Sequence, residues 1–282
     1  MCCNSLCCCP RKDNFIAQPM VKIYADYGDE PEDTFIPIPD HLACTYYNLE
    51  MDRYDEDALF YDTIIPQKSR VLELGCGSGR VGRKLFNEHR NITGVDISLS
   101  MLEKAKENAL PKMHFLAMDM TNLAFSQIFD SIIIPYNSLN LLITKERILD
   151  CLLGCKKYLQ PQGSLIAQIF IPPQKFLAEK KKSFQFQIFD RKPTGRIIKE
   201  IIKQYRPASE TISVEERFRV RPAGPMADFV DYNNNYTVAA YQIADWLQLF
   251  ETSGFKIKSC YEDFKKTHTY TTDSSCLVII CE

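Results

Sequence analysis

The sequence lacks the long apolar runs and the charge bias that mark several classes of protein. No apolar run in the 282 residues reaches the ~18 residues of a membrane-spanning helix, and no segment resembles the apolar region of a signal peptide. The formal net charge is only −2, so the chain has no overall basic field that would attract a nucleic acid. These absences predict a cytoplasmic protein that does not bind nucleic acids.

Cysteine is abundant but follows neither a disulfide nor a zinc pattern. No C-x-x-C pair has a matching partner pair, so no metal site is predicted, and disulfides are not expected in a cytosolic domain of this size. Five of the 12 cysteines lie at positions 2, 3, 7, 8 and 9. This cluster has three open interpretations: a tail without a role, an acylated anchor, or a soft-metal or redox site. A membrane partner is therefore expected only if these cysteines are acylated.

A glycine-rich stretch that follows an apolar strand pattern is the most informative feature present. Val71–Leu74 predicts a short strand, glycines 75, 77 and 79 follow, and a helix pattern begins at Val81. Glycines let the backbone turn tightly, so a nucleoside-type cofactor can approach the main chain closely. Asp96 ends the next apolar strand, where its carboxylate can accept hydrogen bonds from both hydroxyls of a ribose.

Two cofactor families use this geometry. The stretch from Gly77 to Gly82 fits the dinucleotide pattern G-x-G-x-x-G, but Glu73 lies two positions before the turn, where it would repel a pyrophosphate and suit a cationic ligand. The stretch from Glu73 to Gly79 resembles the E/D-x-G-x-G-x-G motif of class I S-adenosylmethionine (SAM) methyltransferases. Further matches follow in order at Asp96-Ile97-Ser98 with Met101-Leu102, at Met118-Asp119-Met120, at Phe129-Asp130, and at residues 159–163.

The resemblance implies SAM as the cofactor and suggests how the chain contacts it. The three glycines would admit the methionine part, Asp96 would bind the ribose, Met101 would pack beside the adenine, and Asp119 with the Met120 backbone would meet its amino edge. Asp119 could instead be a polar strand cap, and Met101 could be a core residue. The predicted cofactor-binding residues are Glu73, Gly75, Cys76, Gly77, Gly79, Asp96, Ile97, Met101, Asp119, Met120 and Tyr136.

The acceptor is expected after the fourth core strand, at Pro135-Tyr136-Asn137-Ser138. Methyltransferases that act on amino groups of DNA bases carry a D/N/S-P-P-Y/F tetrad there. Ile133 occupies the polar position, so that substrate class loses its main support. Tyr136 and Asn137 either line the methyl-transfer site, as weak candidates for catalysis, or cover the end of the sheet.

Aromatic residues before the core extend the resemblance. Tyr46-Tyr47-Asn48 and Tyr54, together with Tyr136 and a β insert, resemble bacterial small-molecule methyltransferases that include aminosugar N-methyltransferases. This implies a small-molecule acceptor, an aromatic segment that closes over the cofactor, and an insert that shapes the acceptor pocket or a homodimer contact. The alternative is that these tyrosines pack a surface helix. Arg217, Arg219 and Arg221 alternate on one strand and either receive an anionic acceptor or form a solvated sheet face.

Alternating strand and helix patterns predict an α/β fold: a Rossmann-like, mostly parallel seven-stranded sheet with an inserted antiparallel β meander. The predicted domains are a flexible Cys-rich arm (1–35), cap helices and a SAM-binding core (36–171), the antiparallel insert (172–239) and the end of the core (240–282). Core strands are expected near 71–74, 92–96, 113–117, 129–134, 164–170, 255–261 and 276–281. Helices are expected near 42–50, 56–64, 79–88, 98–109, 145–158 and 241–252.

The sequence as a whole predicts a SAM-dependent methyltransferase. It would transfer a methyl group directly and in line to a nitrogen or oxygen of a small molecule, without a metal ion. The main alternative is a non-catalytic SAM-binding or scaffold protein, and a nicotinamide oxidoreductase is the third hypothesis.

Overall fold

The computed structural model describes residues 34–51, 53–179, 181–191, 195–223, 230–265, 269–271 and 274–282. The N-terminal cysteine cluster, and with it nearly all of the predicted arm, lies outside the described residues. The described chain forms two compact units. The first contains residues 40–173 and 239–282, and the second contains residues 34–39 and 174–238, apart from the gaps named above.

The first unit is built around a seven-stranded sheet. Its strands are β2 (Arg70–Leu74), β3 (Asn91–Asp96), β4 (Met113–Ala117), β5 (Phe129–Ile134), β6 (Leu159–Phe170), β11 (Ile257–Tyr261) and β12 (Cys276–Cys281). They lie in the order β11-β12-β6-β5-β2-β3-β4, and all neighbours are parallel except β12, which runs antiparallel to β6 and β11. The predicted Rossmann-like sheet is confirmed. β6 begins earlier than expected because Leu159 already pairs with Phe129.

Helices cover both faces of this sheet. They are α1 (Asp40–Met51), α2 (Glu56–Ile64), α3 (Arg80–Leu85), α4 (Leu99–Glu107), α5 (Lys145–Tyr158) and α7 (Ile243–Thr252). Because side chains alternate along a strand, Leu72 and Leu74 pack in the cluster that contains residues of α5 and α7, whereas Val71 packs with α2, α3 and α4. Within the described ranges, no helix combines the length and the apolar character needed to cross a bilayer.

Helix α3 ends at Leu85, before the end of the predicted helix at residue 88. The reason is Arg90, whose guanidinium is fully buried and whose Nη1 donates a hydrogen bond to the Leu85 carbonyl (3.0 Å). The same guanidinium donates to the carbonyls of Pro66 (3.1 Å) and Ile65 (2.7 Å), which follow the end of α2, and it pairs with Asp62. Arg90 therefore ties together the carboxyl ends of α2 and α3, where cations are favoured.

The second unit contains a five-stranded sheet. Its elements are β1 (Ile36–Pro37), α6 (Gln174–Glu179), β7 (Ser183–Arg191), β8 (Gly195–Arg206), β9 (Thr211–Pro222) and β10 (Val230–Ala239), and the sheet order is β1-β10-β9-β8-β7. The predicted antiparallel strands are confirmed for β7, β8 and β9. β1 was not predicted as part of this sheet. It pairs in parallel with β10, and the Ile38 N–H donates to the Asn233 carbonyl at 2.9 Å.

The three alternating arginines of β9 are ion-paired within the second unit. Arg217 pairs with Glu215 at 2.7 Å, and Arg219 pairs with Glu200 at 2.8 Å. Asp231 accepts from both Arg219 and Arg221. Because partly buried carboxylates already neutralise these guanidinium groups, the structure favours neither an anion site nor a simple solvated face.

Candidate active site

The glycine loop joins β2 to α3 at the carboxyl edge of the parallel strands. Gly75 (φ +67°) and Gly79 (φ +76°) adopt the left-handed conformation, which residues with a Cβ rarely take. Gly75 is also required sterically, because a Cβ there would lie 2.6 Å from the Ser138 Oγ. The Cys76 N–H donates to the Val95 carbonyl at 3.0 Å, so the loop is fixed to β3.

Asp96, at the end of β3, holds the loop in place and lines the cleft. Its Oδ2 accepts a hydrogen bond from the Gly77 N–H (2.8 Å), and its Oδ1 accepts one from the Ser98 N–H (2.9 Å). A carboxylate oxygen can accept two hydrogen bonds, so each oxygen retains capacity for one more. The arrangement suits a ligand that presents two adjacent hydroxyls, as a ribose does.

Glu73 is a buried carboxyl group in the wall of the same cleft. It pairs with Gly94 of β3 and Ile133 of β5 in the sheet register, and its side chain is 1% exposed. Burial raises the pKa of Glu73 to about 8, against the opposing effect of the Arg80 charge. Its Oε2 has no hydrogen-bond partner among the described residues. A buried acceptor without a partner at a cleft wall suits a cationic donor on a ligand.

Arg80, the first residue of α3, is engaged by Asp57 of α2. Its Nη1 and Nη2 donate to the two Asp57 oxygens at 2.8 and 2.5 Å, and Nη1 also donates to the Tyr54 carbonyl at 2.8 Å. Burial acts to lower the pKa of Arg80, but the hydrogen bonds and charge of Asp57 raise it above its usual value. The Arg80–Asp57 pair was missed by the sequence analysis. The acidic residue on the apolar side of α2 was the available signal.

Asp119 and Arg147 form another wall of the cleft. The Asp119 Oδ1 accepts from the Thr121 N–H (2.8 Å) and Oγ1 (2.9 Å), and its Oδ2 pairs with the Arg147 Nη2 at 3.2 Å. Partial burial acts to raise the pKa of Asp119, but these donors lower it. Asp119 therefore both caps a turn and lines the cleft. A role as a polar cap and the predicted contact with the adenine are thus compatible. The sequence analysis did not identify Arg147.

Tyr136 and Asn137 follow β5 in a strained turn. Both are left-handed, at φ +52° and +61°, which costs roughly 1–3 kcal/mol for each non-glycine residue. The Gln168 Oε1 accepts from the Tyr136 N–H at 2.9 Å and helps to hold this turn. The Tyr136 ring lies against Tyr47 and Tyr54, with ring centroids 6.4 and 5.9 Å away. Strain held in this way is typical of functional sites.

The structure brings most of the predicted site residues together in one cleft. Those that line it are Glu73, Gly75, Cys76, Asp96, Ile97, Asp119, Met120 and Tyr136. Gly77 and Gly79 belong to the loop but are not lining residues, and Asn137 is buried behind the cleft surface. Met101 packs in a buried cluster with Cys44, Tyr47, Met51 and Tyr136. Its contact with adenine stays a prediction, as do the individual cofactor roles of the other residues.

Comparison with known proteins identifies a methyltransferase domain in the chain. Residues 71–163 match the family described as a methyltransferase domain. YqeM of Bacillus subtilis (strain 168), which is named as a methyltransferase, is 30% identical over 119 residues, covering 41% of this chain and 48% of that protein. The chain thus spans about half the length of this curated relative. Residues 71–163 are thus identified as a methyltransferase domain, which agrees with the resemblance of the glycine-loop motif to SAM-dependent methyltransferases.

More distant relatives cover more of the chain. The dTDP-3-amino-3,4,6-trideoxy-alpha-D-glucopyranose N,N-dimethyltransferase of Streptomyces venezuelae is 21% identical over 193 residues, covering 68% of this chain and 78% of that protein. The SAM-bound structure of CalS10, an amino pentose methyltransferase from Micromonospora echinaspora, superposes with a TM-score of 0.67 at 16% identity. The superposition covers 90% of this chain and all of that one, so the fold is shared well beyond the glycine loop.

The residues of the cleft fit SAM. The glycine loop leaves backbone exposed where a Cβ at Gly75 would intrude, and Asp96 retains acceptor capacity for ribose hydroxyls. The Glu73 Oε2 is a buried acceptor that suits the cationic methionine part. SAM supplies an activated methyl group on a sulfonium, and the protein has to position an acceptor against it and exclude water.

Replacing Asp96 with alanine is expected to weaken SAM binding at least ~100-fold. The substitution removes the acceptor of the Gly77 and Ser98 N–H groups together with the predicted ribose acceptor, and hydrogen bonds to charged groups contribute about 1.5–3 kcal/mol each. Asp96→Asn keeps one oxygen acceptor, so its SAM affinity should lie between those of Asp96→Ala and the unmodified protein. Calorimetric titration with SAM measures the effect, with the exposed Asp150→Ala as control. Unchanged affinity in Asp96→Ala would remove this residue from the cofactor site.

Proposed function

We propose that the protein transfers the methyl group of SAM to an amine nitrogen of a small molecule, with an amino sugar as the preferred acceptor class. The observation that carries the proposal is the composition of one cleft. Glu73, Asp96 and the glycine loop suit the cofactor, and Tyr47 and the strained Tyr136 turn line the same cleft. In this proposal the acceptor binds beside Tyr136, and Tyr136 and Asn137 shape the methyl-transfer site.

The carboxylates of the cleft favour nitrogen over oxygen as the methylated atom. Glu73 is assigned to the cation of SAM, Asp96 accepts two backbone N–H groups, and Asp119 accepts from Thr121 and Arg147. An acceptor hydroxyl needs a base to take its proton during attack. A neutral amine attacks through its lone pair and can lose its proton to water afterwards. An amine acceptor therefore needs no carboxylate as a base during attack, whereas a hydroxyl acceptor does.

The relatives support this choice of acceptor. The similar protein from Streptomyces venezuelae and the structural neighbour CalS10 are named for amino sugar and amino pentose substrates. The non-polar Ile133, which is fully buried in β5, leaves the strand end without the polar residue that begins the tetrad of DNA amino-methyltransferases. Both observations support a small amine and not a DNA base.

Transfer of label from methyl-labelled SAM tests the proposal. The acceptor panel should contain nucleotide-linked amino sugars and, as matched controls, the same sugars with a hydroxyl in place of the amine. We expect label only in the amine-bearing member of a pair. SAM binding without transfer to any acceptor would favour the non-catalytic SAM-binding or scaffold alternative. Tighter binding of NAD than of SAM in calorimetric titration would favour an oxidoreductase.

Further sequence hypotheses stay predictions. They concern a homodimer contact made by the β insert, a cytoplasmic location, and the role of the N-terminal cysteines. The domain boundaries at residues 35, 171 and 239 are likewise proposed here as functional divisions of the chain.

A further inference from the structure

Among the described residues, the cation that faces Glu73 is already paired with another carboxylate. Arg80 from α3 faces Glu73 but forms a two-bond pair with the fully buried Asp57 of α2, and that pair is neutral as a whole. Tyr61 of α2 is also fully buried, and burial together with the Asp57 charge raises the pKa of its phenol, which keeps it neutral. Asp96 at the end of β3 adds negative charge, and β5 contributes the apolar Ile133.

A charged Glu73 would therefore be costly in the free protein. A buried, uncompensated carboxylate is strongly disfavoured, and such a group takes up a proton instead. The Glu73 side chain is 1% exposed, and its Oε2 has no hydrogen-bond partner among the described residues. The Arg80 charge and the Gly82 backbone lower the pKa of Glu73, but burial outweighs them. Glu73 is one of the residues that line the cleft, so a bound ligand can supply the missing positive charge.

We propose that Glu73 is protonated in the free protein and releases its proton to solvent when the α-ammonium group of the cofactor binds beside it. The inference rests on the proposed function, because it requires that SAM occupy the cleft. In the step, the O–H bond of the Glu73 carboxyl breaks, the proton goes to buffer, and the carboxylate pairs with the ammonium. SAM affinity is consequently linked to pH through a residue of the cofactor site.

The pH range over which SAM affinity changes follows from the raised pKa of Glu73. Burial raises the pKa of Glu73 from the ordinary value of a glutamic acid to about 8 in the free protein, so the carboxyl is mostly protonated below pH 7. An α-ammonium group, with an ordinary pKa of about 7.7–8, is also still charged there. If binding releases one proton, the affinity for SAM rises about tenfold for each pH unit between about pH 5.5 and 7.

Calorimetry in several buffers counts the proton directly. At pH 6.5 the observed binding enthalpy should vary linearly with the ionisation enthalpy of the buffer, with a slope that corresponds to release of close to one proton. The same release is expected for S-adenosylhomocysteine, which keeps the ammonium and lacks the sulfonium. Binding of SAM with an enthalpy that is independent of buffer would overturn the inference and leave the proposed function intact. Absence of SAM binding in any buffer would instead overturn the proposed function.

Two variants assign the proton to its source. Glu73→Gln has nearly the same shape but no ionisable group, so its proton release and its pH dependence between pH 5.5 and 7 should disappear. Glu107→Gln changes an exposed carboxylate of α4 in the same way and should behave as the unmodified protein. Proton release that persists in Glu73→Gln would overturn the assignment.

Infrared difference spectroscopy of the unmodified protein gives an answer that does not depend on the variants. A band of a protonated carboxyl group should be lost when SAM is added at pH 6.5. If SAM binds and no such band is lost, Glu73 was already ionised and the inference is wrong.

Discussion

Replacing Arg90 with methionine is expected to lower the free energy of unfolding of the first unit by about 3–5 kcal/mol. The guanidinium is fully buried, and its removal leaves the carbonyls of Ile65 and Leu85 without their donor, while the Pro66 carbonyl keeps the hydrogen bond from the Ser69 Oγ. Each buried group that loses its only partner costs about 1–3 kcal/mol. Methionine fills most of the space of the arginine stem, so the loss reflects hydrogen bonds more than a cavity.

The measurement is urea unfolding followed by tryptophan fluorescence. The chain has one tryptophan, Trp246 of α7, which is fully buried and therefore reports on the first unit. The matched control is Lys104→Met on α4 of the same unit, which removes an exposed ion pair with Glu107 and should change the free energy of unfolding by less than about 1 kcal/mol. If Arg90→Met also lowered the free energy of unfolding by less than about 1 kcal/mol, water or other donors would have replaced the guanidinium.

Arg90 also illustrates which features of the fold could be predicted from the sequence. Where a capping residue next to a helix determines its boundary, the predicted and observed boundaries agree, as they do for α5. Thr144 caps that helix by accepting a hydrogen bond from the Arg147 N–H, as the sequence indicates. The end of α3 is decided by Arg90, whose partners just after α2, Ile65 and Pro66, lie more than 20 residues away in the chain. A periodic pattern contains no information about such a contact.

The pairing of β1 with β10 shows the same limit. Ile36 and Pro37 form a strand of two residues, too short to show an alternating pattern, and their partners Tyr232 and Asn233 lie far along the chain. The long strands β7, β8 and β9 could be predicted because turn residues separate alternating apolar positions.

The candidate site divides in a similar way. The glycine loop and Asp96 could be predicted because a tight turn beside a cofactor restricts the sequence directly. The pairing of Arg80 with Asp57 could not be predicted from the sequence, since an ion pair between two separate helices follows no spacing rule. Glu73 was recognised as suitable for a cation, but its raised pKa depends on the burial of its neighbours and on the engagement of Arg80 elsewhere.

Replacing Gly75 with alanine is expected to weaken SAM binding by at least ~100-fold, equivalent to about 2.7 kcal/mol. The new Cβ would lie 2.6 Å from the Ser138 Oγ and 2.8 Å from its Cβ, far inside contact distance, and φ is +67°. The Ser138 hydroxyl cannot move freely, because it donates to the Pro135 carbonyl at 2.8 Å. Either the loop or the Ser138 turn must shift, and both line the cleft. Calorimetric titration with SAM measures the change.

The matched control separates backbone strain from crowding at the cleft. Gly254 is also left-handed, at φ +82°, but a Cβ there would have no heavy atom within 4 Å. Gly254→Ala should therefore show a similar conformational penalty of roughly 1–3 kcal/mol in stability and an unchanged SAM affinity. If Gly75→Ala also kept its affinity, the loop would not hold the cofactor. If both variants lost affinity equally, general destabilisation would explain the effect. A loss confined to Gly75→Ala ties SAM binding to close approach of the backbone at this one turn.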